Sequence, residues 1–540
     1  MSKTKINYMN KITTLFLILL PIFSVAQNIK VGPFLQDAEP TSMYIVWETD
    51  ADASSIVHFG LDSNLLSMAQ GSSFVNMGQN KIHEVQLTGL LPNTRYFYQV
   101  ESGNSLSSVY NFITPPLPDE EQGFRMVAMS DMQRDNANPD KFLEIVQDGI
   151  LEFMEQQHGP DLPHNLGLII IPGDLVVTGS VYSQWEQHFF DPAQDLFSEV
   201  PVYPVIGNHE ANSIYYFNYL HLPDNGTPGY EEHWWYKDYS NTRIIGLDSN
   251  NPYRIPEQLS WLDSILNLTC ANDSIDFVFA QLHHPHKSEL WTPGEADYTG
   301  DVVQRLEQFT SNCGKPSIHF FGHTHGYSRG QSRDHQHLWV NVATAGGAID
   351  HWGAFPQFDY DEFSVSQDDW GFVVVDVEAG DNPAVTVKRM SRGNESMFFD
   401  NAIRDSVTIR MNNQAPEKPV ALFPVDQTVS PHCILLKASD FEDADGVHGA
   451  SHWQLADSCG DFSNPVVDSW KQYENWYFNE DTQAGDDLTD EQVLSLNENT
   501  SYCWRVRYRD RELGWSPWSD PVTFQTGTSE YTANLLINPG

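Results

Sequence analysis

Val205-Ile206-Gly207-Asn208-His209-Glu210 sets the pattern for the whole chain. A short apolar run ends in glycine, and an amide, an imidazole and a carboxylate follow at once on a tight turn. Strands buried on both faces are written as such apolar runs, and an α/β sheet delivers its chemistry where those strands end. The same order recurs four more times: at Met126-Val127-Ala128-Met129-Ser130-Asp131-Met132-Gln133, at Leu168-Ile169-Ile170-Ile171-Pro172-Gly173-Asp174, at Phe277-Val278-Phe279-Ala280-Gln281-Leu282-His283-His284-Pro285, and at Ile318-His319-Phe320-Phe321-Gly322-His323-Thr324-His325. Taken singly, an Asp or Asn after a strand is explained as a helix cap, and a His as a satisfied structural residue. Five such turns together, with His323 and His325 paired as no cap requires, point to a metal site.

Between Phe124 and Met390 strand-like runs alternate with helix-like segments such as Asp140 to Gln156, which predicts a layered α/β domain over residues 119–395. Residues 27–118 read as all-β, with short strands such as Ser42 to Trp47 and Thr94 to Val100 separated by Asp, Gly, Asn and Ser clusters. Leu87-Thr88-Gly89-Leu90-Leu91-Pro92-Asn93 ahead of a Tyr-rich strand gives this part fibronectin type III character. A linker is expected at 396–418, marked by Pro416 and Pro419, before β patterning returns over 419–527. There Gly514-Trp515-Ser516-Pro517-Trp518-Ser519 resembles the F to G region of fibronectin type III modules. The tail 528–540, with Asn534-Leu535-Leu536-Ile537, resembles the opening strand of a galactose-binding-like jelly roll. The fold class expected is multidomain: a central α/β sandwich flanked by all-β, fibronectin type III-like domains.

A chain of 540 residues exceeds one hydrophobic core. Its net charge of −44, from 73 acidic against 29 basic residues, argues against nucleic acid duplexes, whose phosphates would be repelled. Lys3, Lys5 and Lys11 precede the apolar run Leu15 to Leu20, and Ser24-Val25-Ala26 follows, so residues 1–26 read as a secretory signal peptide. The run is too short for a bilayer, which takes about 20 apolar residues, and no later stretch reads as an integral membrane segment. A secreted, periplasmic or cell-surface location follows, and with it an oxidising compartment. Cys270 and Cys313 each follow a helix-like segment and precede a strand, which makes them candidate partners; Cys459 with Cys503 is the second pairing considered, leaving Cys433. Asp440, Glu442, Asp443 and Asp445 crowd one loop of the C-terminal domain, where Ca²⁺ is set against a merely solvated acidic loop.

Asp131, Asp174, Asn208, His283, His323 and His325 combine carboxylate and amide oxygens with imidazole nitrogens. That mixture suits Zn²⁺, Mn²⁺ or Fe, and it offers more ligands than one tetrahedral ion takes up, so two ions bridged by a carboxylate fit better. All five blocks resemble, in order, those of the calcineurin-like metallophosphoesterases, and the domain order from Gln27 to Met390 is similar to that of purple acid phosphatases. The resemblance implies one metal site made by Asp131, Gln133 and His325 and another by Asn208, His283 and His323, with Asp174 bridging two divalent or trivalent ions. It also implies that His283, two residues before Pro285, is the ligand rather than His284, and that a hydroxide between the ions attacks phosphorus. His209 beside Asn208 is then the candidate for steadying the transition state or protonating the leaving oxygen. Two positions depart from the family: Gln133 stands where many members have His, and Val177 where purple acid phosphatases have a metal-binding Tyr.

Near the motif blocks, His286 is a candidate proton donor, and Tyr327 and Arg329 are candidates to face substrate, Arg329 on phosphate. Trp234 and Trp235 are assigned to the core, and His335 and His337 to the surface. The function expected is hydrolysis of small phosphate esters. The alternatives are a diesterase acting on nucleotides or phospholipids, and a non-catalytic surface protein that keeps a metal-bearing scaffold and binds glycans through its β modules.

Overall fold

The computed structural model describes residues 28–529. The expected signal peptide, 1–26, and nearly all of the tail, with the jelly-roll-like strand expected there, lie outside the described residues. Among those described, no helix is long and apolar enough to cross a membrane.

The N-terminal part is a sandwich of two antiparallel sheets, one built on Ile29–Glu39, Ser42–Thr49 and Lys81–Thr88, the other on Ile56–Gly60, Arg95–Ser102 and Tyr110–Ile113. Strict alternation in Arg95–Ser102 turns Tyr96, Tyr98 and Val100 inward, against Trp47, Met43 and Leu87. The sandwich is welded to the central domain. Its buried Glu48 accepts from the hydroxyls of Tyr182 and Tyr219 at 2.8 Å each, and Gln36 Nε2 donates to the Val202 carbonyl at 2.9 Å.

Two further sheets make the central domain. In the first, Val202–Pro204, Leu168–Ile171 and Phe124–Ala128 run parallel, and Trp370–Glu378, Ala384–Gly393 and Phe398–Arg410 continue it antiparallel. In the second, Thr242–Gly246, Phe277–Gln281, Ser317–Phe321 and His337–Val342 run parallel, flanked by Trp235–Tyr239 on one side and by Tyr327–Gln331 and Phe363–Gln367 on the other. Their facing surfaces bury one apolar core in which Val127, Ile169, Phe279, Phe320 and Val340 meet. The strands ahead of all five ligand-bearing turns therefore release them at carboxyl ends, three from one sheet and two from the other. Helices Pro256–Cys270 and Asp297–Cys313 cover the outer face of the second sheet, and a disulfide joins Cys270 to Cys313 at their ends.

Part of the expected linker is strand. Phe398–Arg410 pairs along Ala384–Gly393 as an edge strand with Val407 and Ile409 turned in; two register shifts, and Phe398 and Ile403 left exposed, broke the period. The C-terminal sandwich packs Trp453, Trp504, Val506 and Leu436 between its sheets and carries the Cys459–Cys503 disulfide, leaving Cys433 exposed and unpaired. It also reaches into the central domain: Trp476–Tyr477 pairs with Phe363–Gln367 and, with Glu480–Asp481, extends the second central sheet. Trp234 and Trp235 are core, as expected, but His337 is not on the surface. The helix Asp297–Cys313 and neighbouring strands enclose it completely, and its ring is held by Ser317 Oγ at 2.7 Å and by His319 Nδ1 at 3.0 Å.

Candidate metal centre

Asp174 lies at the centre of the cluster, buried. Its Oδ2 is 3.3 Å from His283 Nε2, 2.8 Å from Gln133 Nε2 and 3.8 Å from His209 Nε2. On one side His283 Nε2 is 2.9 Å from Asn208 Oδ1 and 3.2 Å from His323 Nδ1. On the other, His325 Nε2 is 3.2 Å from Asp131 Oδ1 and 3.5 Å from Gln133 Nε2. Asp174, His283 and His323 each offer a donor atom within 4.8 Å of the others. The structure thus brings together Asp131, Gln133, Asp174, Asn208, His283, His323 and His325, with His209 at the rim.

The backbone aims these groups under strain. Asp131, Asp174 and His323 have φ of 60°, 58° and 71°, the left-handed region that side chains other than glycine avoid and that clusters at functional sites. Glycines make room. A Cβ on Gly207 would sit 2.2 Å from Asp174 Oδ1, and one on Gly322 would sit 2.4 Å from Asp131 Oδ2, so neither turn tolerates any other residue. Glu210 secures the Asp174 turn: its carboxylate accepts from the N–H groups of Gly207 at 2.8 Å, Asp174 at 3.0 Å, Leu175 at 2.9 Å and Val176 at 3.3 Å. No role for Glu210 was read from the sequence, where its only sign is its place two residues after Asn208.

Three imidazoles share one arrangement. The Nδ1 of His283 donates to the Pro172 carbonyl at 2.9 Å, that of His325 to Ala348 at 2.6 Å, and that of His209 to Val177 at 2.6 Å. A ring anchored in this way presents Nε2 with its lone pair, the tautomer a metal requires. Burial opposes a proton on His283, but Asp174 outweighs it and raises that group to about 10. Burial and the charge on His283 push His323 down to about 3. His325 is opposed by burial and raised by Asp131, to about 9. The carboxylates of Asp174 and Asp131 thus draw positive charge onto His283 and His325, and a bound cation would supply that charge in place of the protons. Gln133 completes the fit: its Oε1 is buried without a partner, and a half-turn of the carboxamide would place it where Nε2 now faces Asp174 and His325.

Four residues named from the sequence do not join the cluster. His284 turns away, with Nδ1 at 2.9 Å from Ser249 Oγ. His286 packs on Trp339 and lines a separate cavity with Asp297, Asp301 and Glu307, so it faces away from the cluster and cannot serve as its proton donor. Arg329 is buried and spent, its guanidinium bound to Asp405 at 2.6 Å and Glu474 at 2.8 Å, which leaves nothing for phosphate. Tyr327 is likewise buried, on Asp405 at 2.7 Å. In the C-terminal acidic loop, Asp443 Oδ1 caps the N–H groups of Asp445 and Gly446 at 3.1 and 3.0 Å; Asp440, Glu442, Asp443 and Asp445 do not converge as the ligands of a Ca²⁺ site among the described residues.

Residues 124–327 match the family model of calcineurin-like phosphoesterases. The central domain is a calcineurin-like phosphoesterase domain. Ahead of it, residues 31–114 match the purple acid phosphatase N-terminal domain, and residues 467–530 match the Rha78A-like N-terminal immunoglobulin domain. In sequence the chain is 24% identical over 268 residues to the probable inactive purple acid phosphatase 24 of Arabidopsis thaliana, covering 46% of this chain and 43% of that protein. In structure this fold resembles purple acid phosphatase PPD1 from yellow lupin seeds, with a TM-score of 0.56 and 18% identity over 70% of this chain and 73% of that one. It also resembles PhoD, with a TM-score of 0.52 and 11% identity over 73% of this chain and 92% of that one. The phosphoesterase domain here thus stands between an N-terminal domain of the purple acid phosphatase type and a C-terminal immunoglobulin-like sandwich.

Proposed function

We propose that this protein hydrolyses small phosphate esters at two metal ions of the Zn, Mn or Fe type, held by Asp131, Gln133 and His325 and by Asn208, His283 and His323, with Asp174 shared. The observation that carries the reading is that His283 and His325, each anchored through Nδ1 on a backbone carbonyl, turn Nε2 toward the buried carboxylates of Asp174 and Asp131. Cations bound there would neutralise charge on phosphoryl oxygens and acidify a water. The side chains do the rest. His209 is partly exposed at the rim, with its ring direction set by the Val177 carbonyl. Since its Nδ1–H is committed there, Nε2 carries a proton only in the imidazolium form, and in that form it is placed to donate to a leaving oxygen. Val177 has no side-chain donor, so an iron–tyrosinate centre has no ligand at this position.

The two disulfides support an exported protein in an oxidising compartment, as the expected signal peptide does. One alternative has a specific observation behind it. The neutral Gln133 is a weaker ligand than His, and the Arabidopsis relative bears the word inactive in its name, which favours a metal-bearing scaffold without turnover. Assays on p-nitrophenyl phosphate and bis-p-nitrophenyl phosphate, after chelation and after reloading with Mn²⁺, Zn²⁺ or Fe, separate the readings. The monoesterase reading expects metal-restored turnover of the monoester that Asp174→Asn abolishes together with bound metal. Faster turnover of the diester supports the diesterase, and stoichiometric metal with no turnover of either supports the scaffold.

A further inference from the structure

We propose that the C-terminal sandwich completes the substrate site of the central domain, and that the aromatic wall it finishes selects phosphate esters whose leaving group is a neutral planar ring. This rests on the phosphoesterase reading above and names its substrate class. The wall begins at the cluster itself: the Trp291 ring lies 5.1 Å from that of His323, and Phe355 lies 6.1 Å from Trp291. It continues through the loop 351–355 to Trp352, on which Tyr477 and Phe478 pack at 4.9 and 5.1 Å. Tyr477 and Phe478 belong to the C-terminal sandwich, whose strand Trp476–Tyr477 is held by pairing of Trp476 with Val365 and by Asn475 Nδ2 donating to Asp359 at 3.0 Å.

The loop that carries Trp352 is clasped to a candidate ligand. Asp350 N donates to the His325 carbonyl at 2.8 Å, the Asp350 carboxylate accepts from His325 N at 2.8 Å, and His325 Nδ1 reaches Ala348. A phosphate held by the cluster therefore has this wall beside it for its organic group. Phe355 and Phe478 keep 45% and 48% of their surface open, so the wall has apolar faces to offer. Its polar neighbours are acidic: His351 sits between Asp368 at 3.2 Å and Glu395 at 3.1 Å. Those carboxylates repel a polyphosphate or other anionic leaving group, whereas a neutral ring stacks on the aromatic faces.

The test compares the full-length metal-loaded protein with its Phe478→Ala and Phe355→Ala variants on phenyl phosphate and glycerol 2-phosphate. The quantity read is the ratio of the two kcat/KM values from one preparation, which is independent of how much of a variant is folded. Each variant is expected to lower the phenyl-to-glycerol ratio about tenfold, chiefly through KM for the phenyl ester. Calorimetry with phenylphosphonate and methylphosphonate reads the same preference without turnover. Variants that leave both the ratio and the phosphonate preference at wild-type values, with both esters still hydrolysed, overturn the wall. A wild-type protein that neither turns over the esters nor binds either phosphonate overturns the phosphoesterase reading, and this inference with it.

Discussion

Glu210 holds the ligand turns together without offering a ligand. Its carboxylate gathers four backbone N–H groups, and in doing so it holds Asp174 in a left-handed conformation that costs about 1–2 kcal/mol on its own. Glu210→Gln replaces one accepting oxygen by an NH₂ that faces donors. The variant is expected to lose about 1–3 kcal/mol of stability in urea unfolding, and to retain less metal after dialysis. A variant with wild-type stability and full metal would show that the turn holds itself. Residue types at the site were legible because Asp131, Asp174, Asn208, His283, His323 and His325 each close an apolar run. Glu210 was not legible in the same way, since three of its four partners are backbone amides 34 to 36 residues earlier in the chain. His286 and Arg329 misled for a related reason: nearness to a motif in sequence does not set the direction of a side chain, and both point away from the cluster.

At the level of elements, the parallel strand Ser317–Phe321 is packed so closely that polar groups are carried inside with it. Thr310, Ser317, His337 and His319 form a buried chain of contacts at 2.8, 2.7 and 3.0 Å between the helix Asp297–Cys313 and the sheet. Burial pushes His337 down to about 3 from the usual 6.5, and pushes His319 lower as well. Because the folded-state value lies below the unfolded one, the unfolded chain binds more protons between these limits. The contribution of a neutral His337 is thus complete above pH 6.5 and is lost as pH falls toward 3. Against His337→Gln, which does not titrate, the stability advantage of the wild type should shrink by about 1.4 kcal/mol per pH unit within that window, read by urea unfolding at stepped pH. A parallel pH dependence of the two proteins would mean that His337 is not kept neutral by the fold. The expectation that His337 is a surface residue failed because a polar residue opening a strand reads as exposed until the helix that covers it is in place.

Across the whole molecule, the three parts are joined through buried polar contacts. Arg329 binds Asp405 of the edge strand and Glu474 of the C-terminal sandwich, linking three segments at one buried guanidinium. Removing one partner from such a group strands the remaining charges, so Arg329→Ala is expected to cost about 3–5 kcal/mol in unfolding, with KM for a phosphate ester unchanged. A raised KM with unaltered stability would instead restore Arg329 as a phosphate ligand. Strand periods, glycine turns and ligand types made the α/β centre and the β parts beside it legible and pointed to metal-directed chemistry, because each is a local pattern carried by consecutive residues. Folding in three dimensions settled matters those patterns do not contain: which of two adjacent histidines faces Asp174, which charges are consumed inside, and how a C-terminal hairpin comes to extend the second central sheet. Each of these depends on contacts between segments separated by tens to hundreds of residues, and a one-dimensional pattern carries no information about direction across such distances.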